Sequence, residues 1–149
     1  MTIPPSNTVI PPNPAPDRIH PQPRRRLAAA YAAFFNGGRR VTPYGIEGKG
    51  QAPVQVIEHD EAAMMVRMLR AVVTRGTGRA AGVAGRAAAG KTGTTQDYRD
   101  AWFIGGANGI VIGVWLGNDD GSPMRDVMGG GLPARLFHDI LSALPKGLP

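Results

Sequence analysis

The 149-residue sequence contains no cysteine, which excludes disulfide bonds and thiolate metal sites. It has no apolar run near the roughly 18 residues that a membrane-spanning helix needs. Its first residues show neither a basic start nor a long apolar segment, so we expect no secretory signal in the sequence as written. Its histidines, His20, His59 and His138, lack ligand spacing, and we expect no metal ion or other cofactor.

Serine is scarce in this sequence. The serines are Ser6, Ser122 and Ser142, and none is followed by a lysine three residues later or by an asparagine two residues later. A serine becomes a nucleophile only beside a group that can take its proton. The sequence therefore supplies no recognisable activated serine.

The chain is basic, with a net charge of +6 from 17 Lys and Arg against 11 Asp and Glu. Such a balance favours anionic partners in general. Much of the charge lies in the runs at residues 24–26 and 39–40, where no aromatic residue is interleaved. Nucleic-acid sites usually combine both residue types, so we predict a solvated basic edge and no nucleic-acid partner.

Proline and glycine divide the chain into two regions. Residues 1–23 hold eight of the 14 prolines and no periodic apolar pattern, which predicts a disordered tail. The pattern then becomes helical, so we expect a single folded unit over residues 24–149.

The folded unit is predicted to mix helices with antiparallel strands. Asn108-Gly109 between two apolar runs is a strong hairpin signal, because both residues accept a positive φ. The second of these runs is apolar on both faces, so helices are expected on both sides of the sheet. The predicted order is a helix from residue 24 to 36, strands at 41–46 and 54–57, a helix from Asp60 to Arg75, strands at 91–95, 101–106 and 110–116, and a helix from Gly131 to Pro145. This is an α+β fold.

Each predicted helix carries apolar residues at helical spacing, which indicates a buried stripe. Methionine commonly fills gaps in a core, so we expect Met65 and Met68 of the second helix to be buried. The predicted stripes are Leu27, Ala30, Tyr31 and Phe34; Met65, Met68, Leu69 and Val72; and Leu136, Phe137, Ile140, Leu141 and Leu144.

Residues 85–92 match the phosphate-loop pattern G-x-x-x-x-G-K-[ST]. In that interpretation Lys91 reaches the phosphates of a nucleotide and the Thr92 hydroxyl binds magnesium. A phosphate loop, however, follows a buried strand and opens a helix. No β-branched run precedes Gly85, and poor helix formers follow Thr92. Nucleotide binding is therefore the alternative to the interpretation that we prefer.

The preferred interpretation places Lys91 to Thr95 on a strand. A strand edge offers N–H groups that pair with an extended peptide or polarise a carbonyl. Thr92 and Thr94 share a face and can both donate to a carboxylate, while Gly93 lets a substrate approach the backbone. Lys91 falls on the other face, so its ammonium must reach round the edge or point beneath the cleft. The pattern indicates peptide binding, either in an acyl-transfer site or in a non-catalytic module.

The residues around this lysine carry a family resemblance. Residues 90–105 resemble the Lys-Thr-Gly motif as it stands in bifunctional (class A) penicillin-binding proteins, and the block separates this group from β-lactamases. Four further stretches resemble the same family in the same order, at residues 30–38, 73–78, 113–120 and 129–134. The resemblance implies part of a β-lactamase/transpeptidase-like fold.

The resemblance also implies a function. In the family, a serine attacks the D-Ala-D-Ala end of a peptidoglycan stem peptide, and β-lactams trap that serine. By this carry-over Lys91 assists proton transfer and carboxylate recognition, and Thr92, Gly93, Thr94 and Thr95 form the substrate-binding strand. Thr92 and Thr94 would bind the carboxylate, and the Thr94 N–H would be an oxyanion donor. Export to the periplasmic face of the cell membrane is implied as well.

The sequence departs from the family at two motifs, because it contains neither Ser-x-x-Lys nor Ser-x-Asn. We therefore expect the C-terminal half of a transpeptidase domain, inactive alone, whose missing half lies upstream or on a partner chain. The family's serine-bearing helix covers the sheet. Without it, we expect an isolated chain that is poorly soluble or partly molten.

Overall fold

A computed structural model describes residues 21–145 of the chain. Its elements are α1 (Pro21–Phe35), β1 (Arg39–Arg40), β2 (Val54–Gln55), α2 (His59–Arg75), β3 (Ala89–Thr94), β4 (Asp100–Ala107), β5 (Ile110–Gly117) and α3 (Leu132–Ala143). Short 3-10 turns lie at residues 79–81 and 96–98. The predicted proline-rich tail lies outside the described residues up to position 20, and α1 begins three residues before Arg24.

The main sheet has the strand order β3-β4-β5, with antiparallel pairing throughout. The predicted hairpin is confirmed between β4 and β5, where Asn108 and Gly109 have φ values of 52° and 79°. Two consecutive positive φ values match the right-handed twist of the strands that they join. The hairpin sets Phe103 opposite Val114 and Trp102 opposite Trp115.

One face of the sheet is covered by α3. Phe103 and Val114 from the sheet pack with Phe137 and Leu141 of α3 in the main core cluster. The Phe103 and Phe137 ring centroids are 4.7 Å apart, and both side chains are fully buried. Burying each such side chain contributes about 1.5–3 kcal/mol to folding.

The opposite face of the sheet contacts α1. The guanidinium carbon of Arg24 lies 3.5 Å from the centroid of the Trp115 ring. Trp115 Nε1 donates a hydrogen bond of 3.0 Å to Asp100 Oδ1, which satisfies the indole N–H on this face. Helices on both faces explain why β5 is apolar on both sides, and they confirm the predicted α+β fold.

Several predicted boundaries were wrong; the strand predicted at 91–95 is β3, which ends at Thr94 and leaves Thr95 outside it. Residues 41–46 form no strand; the short strand is β1, because Pro43 offers no N–H to a ladder. The strand predicted at 54–57 is limited to β2. The second helix begins at His59 with Glu58 as its N-cap residue, so Asp60 lies in the first turn. None of the helices within residues 21–145 is long and apolar enough to cross a membrane.

The predicted buried stripes were right at Leu69, Phe137 and Leu141 and wrong at other positions. Met68 is 56% exposed and Leu27 is exposed, whereas the buried residues of α2 are Ala62, Leu69 and Val73. In α3, Ile140 is exposed. A helix packed obliquely on a sheet buries the residues nearest the crossing point, and the hydropathy of one helix does not locate that point.

Candidate functional site

Strand β3 places two hydroxyl side chains in one cleft. Thr92 and Thr94 both line a cavity of about 510 Å³, together with Thr77 from the turn after α2. The remaining wall is the loop before α3, with residues 126–128 and 130–132. Alternation along the strand puts both threonines on one face and Lys91 on the other, as the period-two pattern predicts.

Hydrogen bonds join the two threonines to the surrounding loops. Thr77 Oγ1 and Thr92 Oγ1 are 2.8 Å apart, and the Gly129 N–H donates to Thr94 Oγ1 at 3.1 Å. Only glycine fits at position 129, because a Cβ there would lie 2.2 Å from the carbonyl oxygen of Trp102. The loop before α3 therefore lies directly against β3 and β4.

At the outer edge of β3, the backbone groups of alternate residues take no part in the pairing with β4. The Thr95 N–H donates to the Asp100 carbonyl at 3.0 Å, and hydrogen-bonded pairs alternate along an antiparallel ladder. The N–H and C=O groups of Thr92 and Thr94 therefore point away from β4. Lys91 Nζ donates to the Thr92 carbonyl at 2.6 Å, so its ammonium reaches round to this edge.

Thr95 does not line the cleft but closes the turn between β3 and β4. The Asp100 N–H donates to Thr95 Oγ1 at 2.8 Å, and that hydroxyl lies 3.3 Å from Asp100 Oδ2. Thr95 therefore sets the end of the strand, and its predicted contact with a substrate stays a prediction. Gly93 lies beneath Gly129, whose Cβ position would be 2.5 Å from the Gly93 carbonyl oxygen.

The nucleotide-binding alternative was wrong. Lys91 and Thr92 lie within β3, and only a three-residue 3-10 turn, with no α-helix, separates them from the next strand, β4. The sheet that contains them is antiparallel, whereas a phosphate-loop sheet needs a parallel crossover. Thr92 does not open an α-helix whose N-terminus could bind a phosphate, so the pattern match at residues 85–92 is coincidental.

Sequence reasoning gave no role to Thr77 or to the loop before α3. Both stretches had been noted only for their family resemblance, since neither offers a nucleophile or a base. Among the residues that line the cleft, Asp126 is acidic and exposed. Within residues 21–145, no group of three or more His, Asp or Glu side chains is placed to hold a metal ion.

Two ionisable side chains with shifted pKa values lie outside the cleft. Asp120 lies in the turn after β5, and the Ser122 N–H donates to its Oδ1 at 2.9 Å. This hydrogen bond lowers the pKa of the Asp120 carboxyl. Burial raises the pKa of the Tyr31 hydroxyl on α1.

Comparisons with known proteins agree on one domain type. A family model described as the penicillin-binding protein transpeptidase domain matches residues 25–142. Penicillin-binding protein 1A of Aquifex aeolicus is 43% identical over 105 residues, covering 63% of this chain and 14% of that protein. The Neisseria lactamica protein of the same name is 37% identical over 142 residues, covering 83% of this chain and 18% of that protein. The chain spans less than a fifth of the length of these relatives.

Solved structures show the same fold. A peptidoglycan glycosyltransferase of Atopobium parvulum superposes with a TM-score of 0.66 at 25% identity, covering 80% of this chain and 32% of the other. The D,D-transpeptidase domain of a peptidoglycan glycosyltransferase from Eggerthella lenta gives a TM-score of 0.57 at 23% identity, covering 78% and 30%.

Proposed function

The chain belongs to the penicillin-binding protein transpeptidase family, and we propose that it supplies the carboxylate-binding strand of a peptidoglycan D,D-transpeptidase site. One observation carries the proposal: Thr92 and Thr94 present two hydroxyls on the same face of an edge strand, at the wall of a cleft. Two hydroxyls side by side suit the two oxygens of a terminal carboxylate. The ligand proposed is the D-Ala-D-Ala end of a stem peptide.

The outer edge of β3 supports binding of an extended peptide. Because the Thr92 and Thr94 backbone groups point away from β4, a peptide can pair with them as an added strand. The Thr94 N–H is then available to polarise the carbonyl that is attacked. The Lys91 ammonium lies at the same edge, where it adds a positive charge near the peptide and can hold a proton close to the reacting atoms.

The nucleophile is not among these groups. Among residues 21–145 no serine lines the cleft, and Ser122 and Ser142 have no base at the spacing that the family uses. We propose that the attacking serine and its lysine come from a segment outside these 149 residues. The chain by itself would then bind the stem peptide or a β-lactam without forming an acyl-enzyme.

The environment proposed for the site follows the family, since crosslinking of peptidoglycan takes place at the periplasmic face of the membrane. The acidic Asp126 near the cleft opposes an anionic ligand, but it is exposed, so solvent and salt screen its charge. Charge complementarity is therefore assigned to Lys91 and to the hydroxyl and amide donors of β3.

Titration with an acetylated peptide ending in D-Ala-D-Ala tests the proposal. Thr92→Val and Thr94→Val each remove a donor to a charged group and keep the side-chain shape, so the affinity is expected to fall about ten- to hundredfold. Thr74→Val is the matched control, because the Thr74 hydroxyl donates to the Arg70 carbonyl on α2, away from the cleft. Equal affinities for the β3 variants and the Thr74 variant would refute the proposed role of this strand.

A further inference from the structure

We propose that Thr77 and the backbone N–H of Gly129 are positioning groups that turn the Thr92 and Thr94 hydroxyls into donors toward the cleft. The inference rests on the proposed function, because it concerns how the same strand selects an anionic ligand. Neither group belongs to the Lys-Thr-Gly stretch. Both approach it from other parts of the chain, one from the turn after α2 and one from the loop before α3.

The Thr94 hydroxyl accepts a hydrogen bond from the loop before α3. A hydroxyl group has one proton to donate and two lone pairs that accept. The Gly129 N–H can only donate, so the 3.1 Å bond to Thr94 Oγ1 occupies a lone pair of the hydroxyl. The Thr94 proton stays available for a second partner, and it is held on a side chain whose oxygen is already fixed.

The Thr92 hydroxyl shares a hydrogen bond with the Thr77 hydroxyl. Its oxygen lies 2.8 Å from that of Thr77, and either hydroxyl can be the donor. An anion in the cleft removes this ambiguity, because a Thr92 proton directed at Thr77 would leave a lone pair facing the negative charge. With an anion bound, Thr77 donates to Thr92 and Thr92 donates to the anion. A neutral amide can donate as well as accept and does not impose this order.

The backbone around Thr77 is held by contacts with α2 and with the loop before α3. The N–H groups of Gly76 and Gly78, on either side of Thr77, both donate to the Val72 carbonyl at the end of α2, at 3.1 and 3.0 Å. On the other side, a Cβ at Gly130 would lie 2.3 Å from the Thr77 carbonyl oxygen, so this glycine packs directly against Thr77. The backbone of Thr77 is therefore held on both sides, and this places its hydroxyl beside that of Thr92.

Because Thr77 contacts Thr92 in this way, it is a determinant of selectivity for a carboxylate over a neutral end group. In a chain of hydrogen bonds, each bond strengthens the next one in the same direction. The Thr77 hydroxyl therefore adds to the donor strength of Thr92 only when the ligand accepts without donating. Removing it should weaken binding of the acid and leave binding of the corresponding amide almost unchanged.

The test compares two probes, an acetylated peptide ending in D-Ala-D-Ala and the same peptide as its C-terminal amide. For Thr77→Val, the affinity for the acid should fall about three- to thirtyfold, since one hydrogen bond in a charged network is lost, while that for the amide stays within twofold. Thr77→Ser keeps the hydroxyl and should bind both probes like the unsubstituted chain. Thermal unfolding of each variant, with Thr74→Val as a reference, reports whether the fold is kept.

Three results are distinguishable. Loss of acid affinity in Thr77→Val with rescue by Thr77→Ser supports the inference. An unchanged preference for the acid in Thr77→Val, or an equal loss for both probes, overturns the inference while the proposed function stands. If the unsubstituted chain binds acid and amide equally, the proposed function is overturned, and the inference is overturned with it.

Discussion

Thr92 and Thr94 differ from Lys91 in the side of β3 on which they emerge, and this difference decides what each residue contacts. The two hydroxyls face the cleft, and the ammonium curls back to the Thr92 carbonyl at the edge. At the residue scale the site thus depends on small polar groups with fixed backbone neighbours. Gly129 is the closest of these neighbours, because it lies against the backbone of β3 and β4.

Gly129→Ala is expected to push the loop before α3 away from the sheet. The added Cβ would meet the Trp102 carbonyl oxygen at 2.2 Å, so the backbone must shift and the Thr94 hydrogen bond is lost. We expect a loss of about 1–3 kcal/mol in the free energy of unfolding, measured by denaturant titration.

Gly113→Ala is the control for this prediction. At that position in β5 the nearest atom to an added Cβ is Ile104 Cδ1 at 3.9 Å, an ordinary contact. The substitution should change stability by less than about 1 kcal/mol, in either direction. Equal destabilisation by the two alanines would contradict the steric argument.

At the scale of elements, the turn between β3 and β4 is tied to the outer strand by one carboxylate. Asp100 accepts a hydrogen bond from Trp115 Nε1 on β5, and it exchanges hydrogen bonds with Thr95 at the end of β3. Trp115 in turn lies beneath the Arg24 guanidinium of α1. Asp100 therefore connects all three strands at the end of the sheet nearest to the cleft threonines.

Asp100→Ala should destabilise the fold by about 1–3 kcal/mol, because the partly buried indole N–H loses its partner. Trp115→Phe removes that N–H, so Asp100→Ala should lower the free energy of unfolding less when Trp115 is already Phe. The coupling energy between the two substitutions should be about 1 kcal/mol. Thermal unfolding of the four proteins in this cycle gives the coupling. Asp119→Ala, at an exposed aspartate in the turn after β5, is the matched control and should have almost no effect. Additive effects in the cycle would exclude the proposed link.

The elements also show what the sequence could predict. The hairpin at Asn108-Gly109 was predicted correctly because a positive φ at both residues is a local requirement. The shared face of Thr92 and Thr94 followed from the two-residue period of a strand. The exposure of Met68 was not predictable, since the buried face of α2 depends on the angle at which it meets β3. Thr77 was missed for a similar reason, because its contact with Thr92 spans 15 positions and leaves no local pattern.

At the scale of the whole molecule, α3 and α1 cover the two faces of the sheet, but apolar side chains remain exposed elsewhere. Met64 and Met68 on α2 are 58% and 56% exposed, and Val54 and Val56 are about half exposed. Exposed apolar surface of this kind promotes association. The uncovered sheet expected from the sequence is not seen within residues 21–145, so the expectation of a poorly soluble isolated chain rests instead on these exposed side chains.

Light scattering, dye binding and calorimetry together test this prediction. Replacing Met64 and Met68 by lysine should reduce scattering and the binding of an apolar dye, with a change in stability within about 0.5 kcal/mol for each site. Leu69→Lys, one position further along the helix, should increase dye binding, because a charge would enter a buried position. A monomer that stays dispersed and binds no apolar dye before any substitution would contradict the expectation of poor solubility.

The hydrogen bonds between Thr95 and Asp100 affect which side chains of β3 face the cleft. A slip of β3 by a single residue along β4 would invert its parity, turning Lys91 and Gly93 toward the cleft and both hydroxyls toward α1. The Thr95–Asp100 hydrogen bonds lie just beyond Thr94, the last residue of β3 that lines the cleft. They fix the register of β3 against β4. Two residues outside the cleft lining thus determine which side chains of the strand face the cleft.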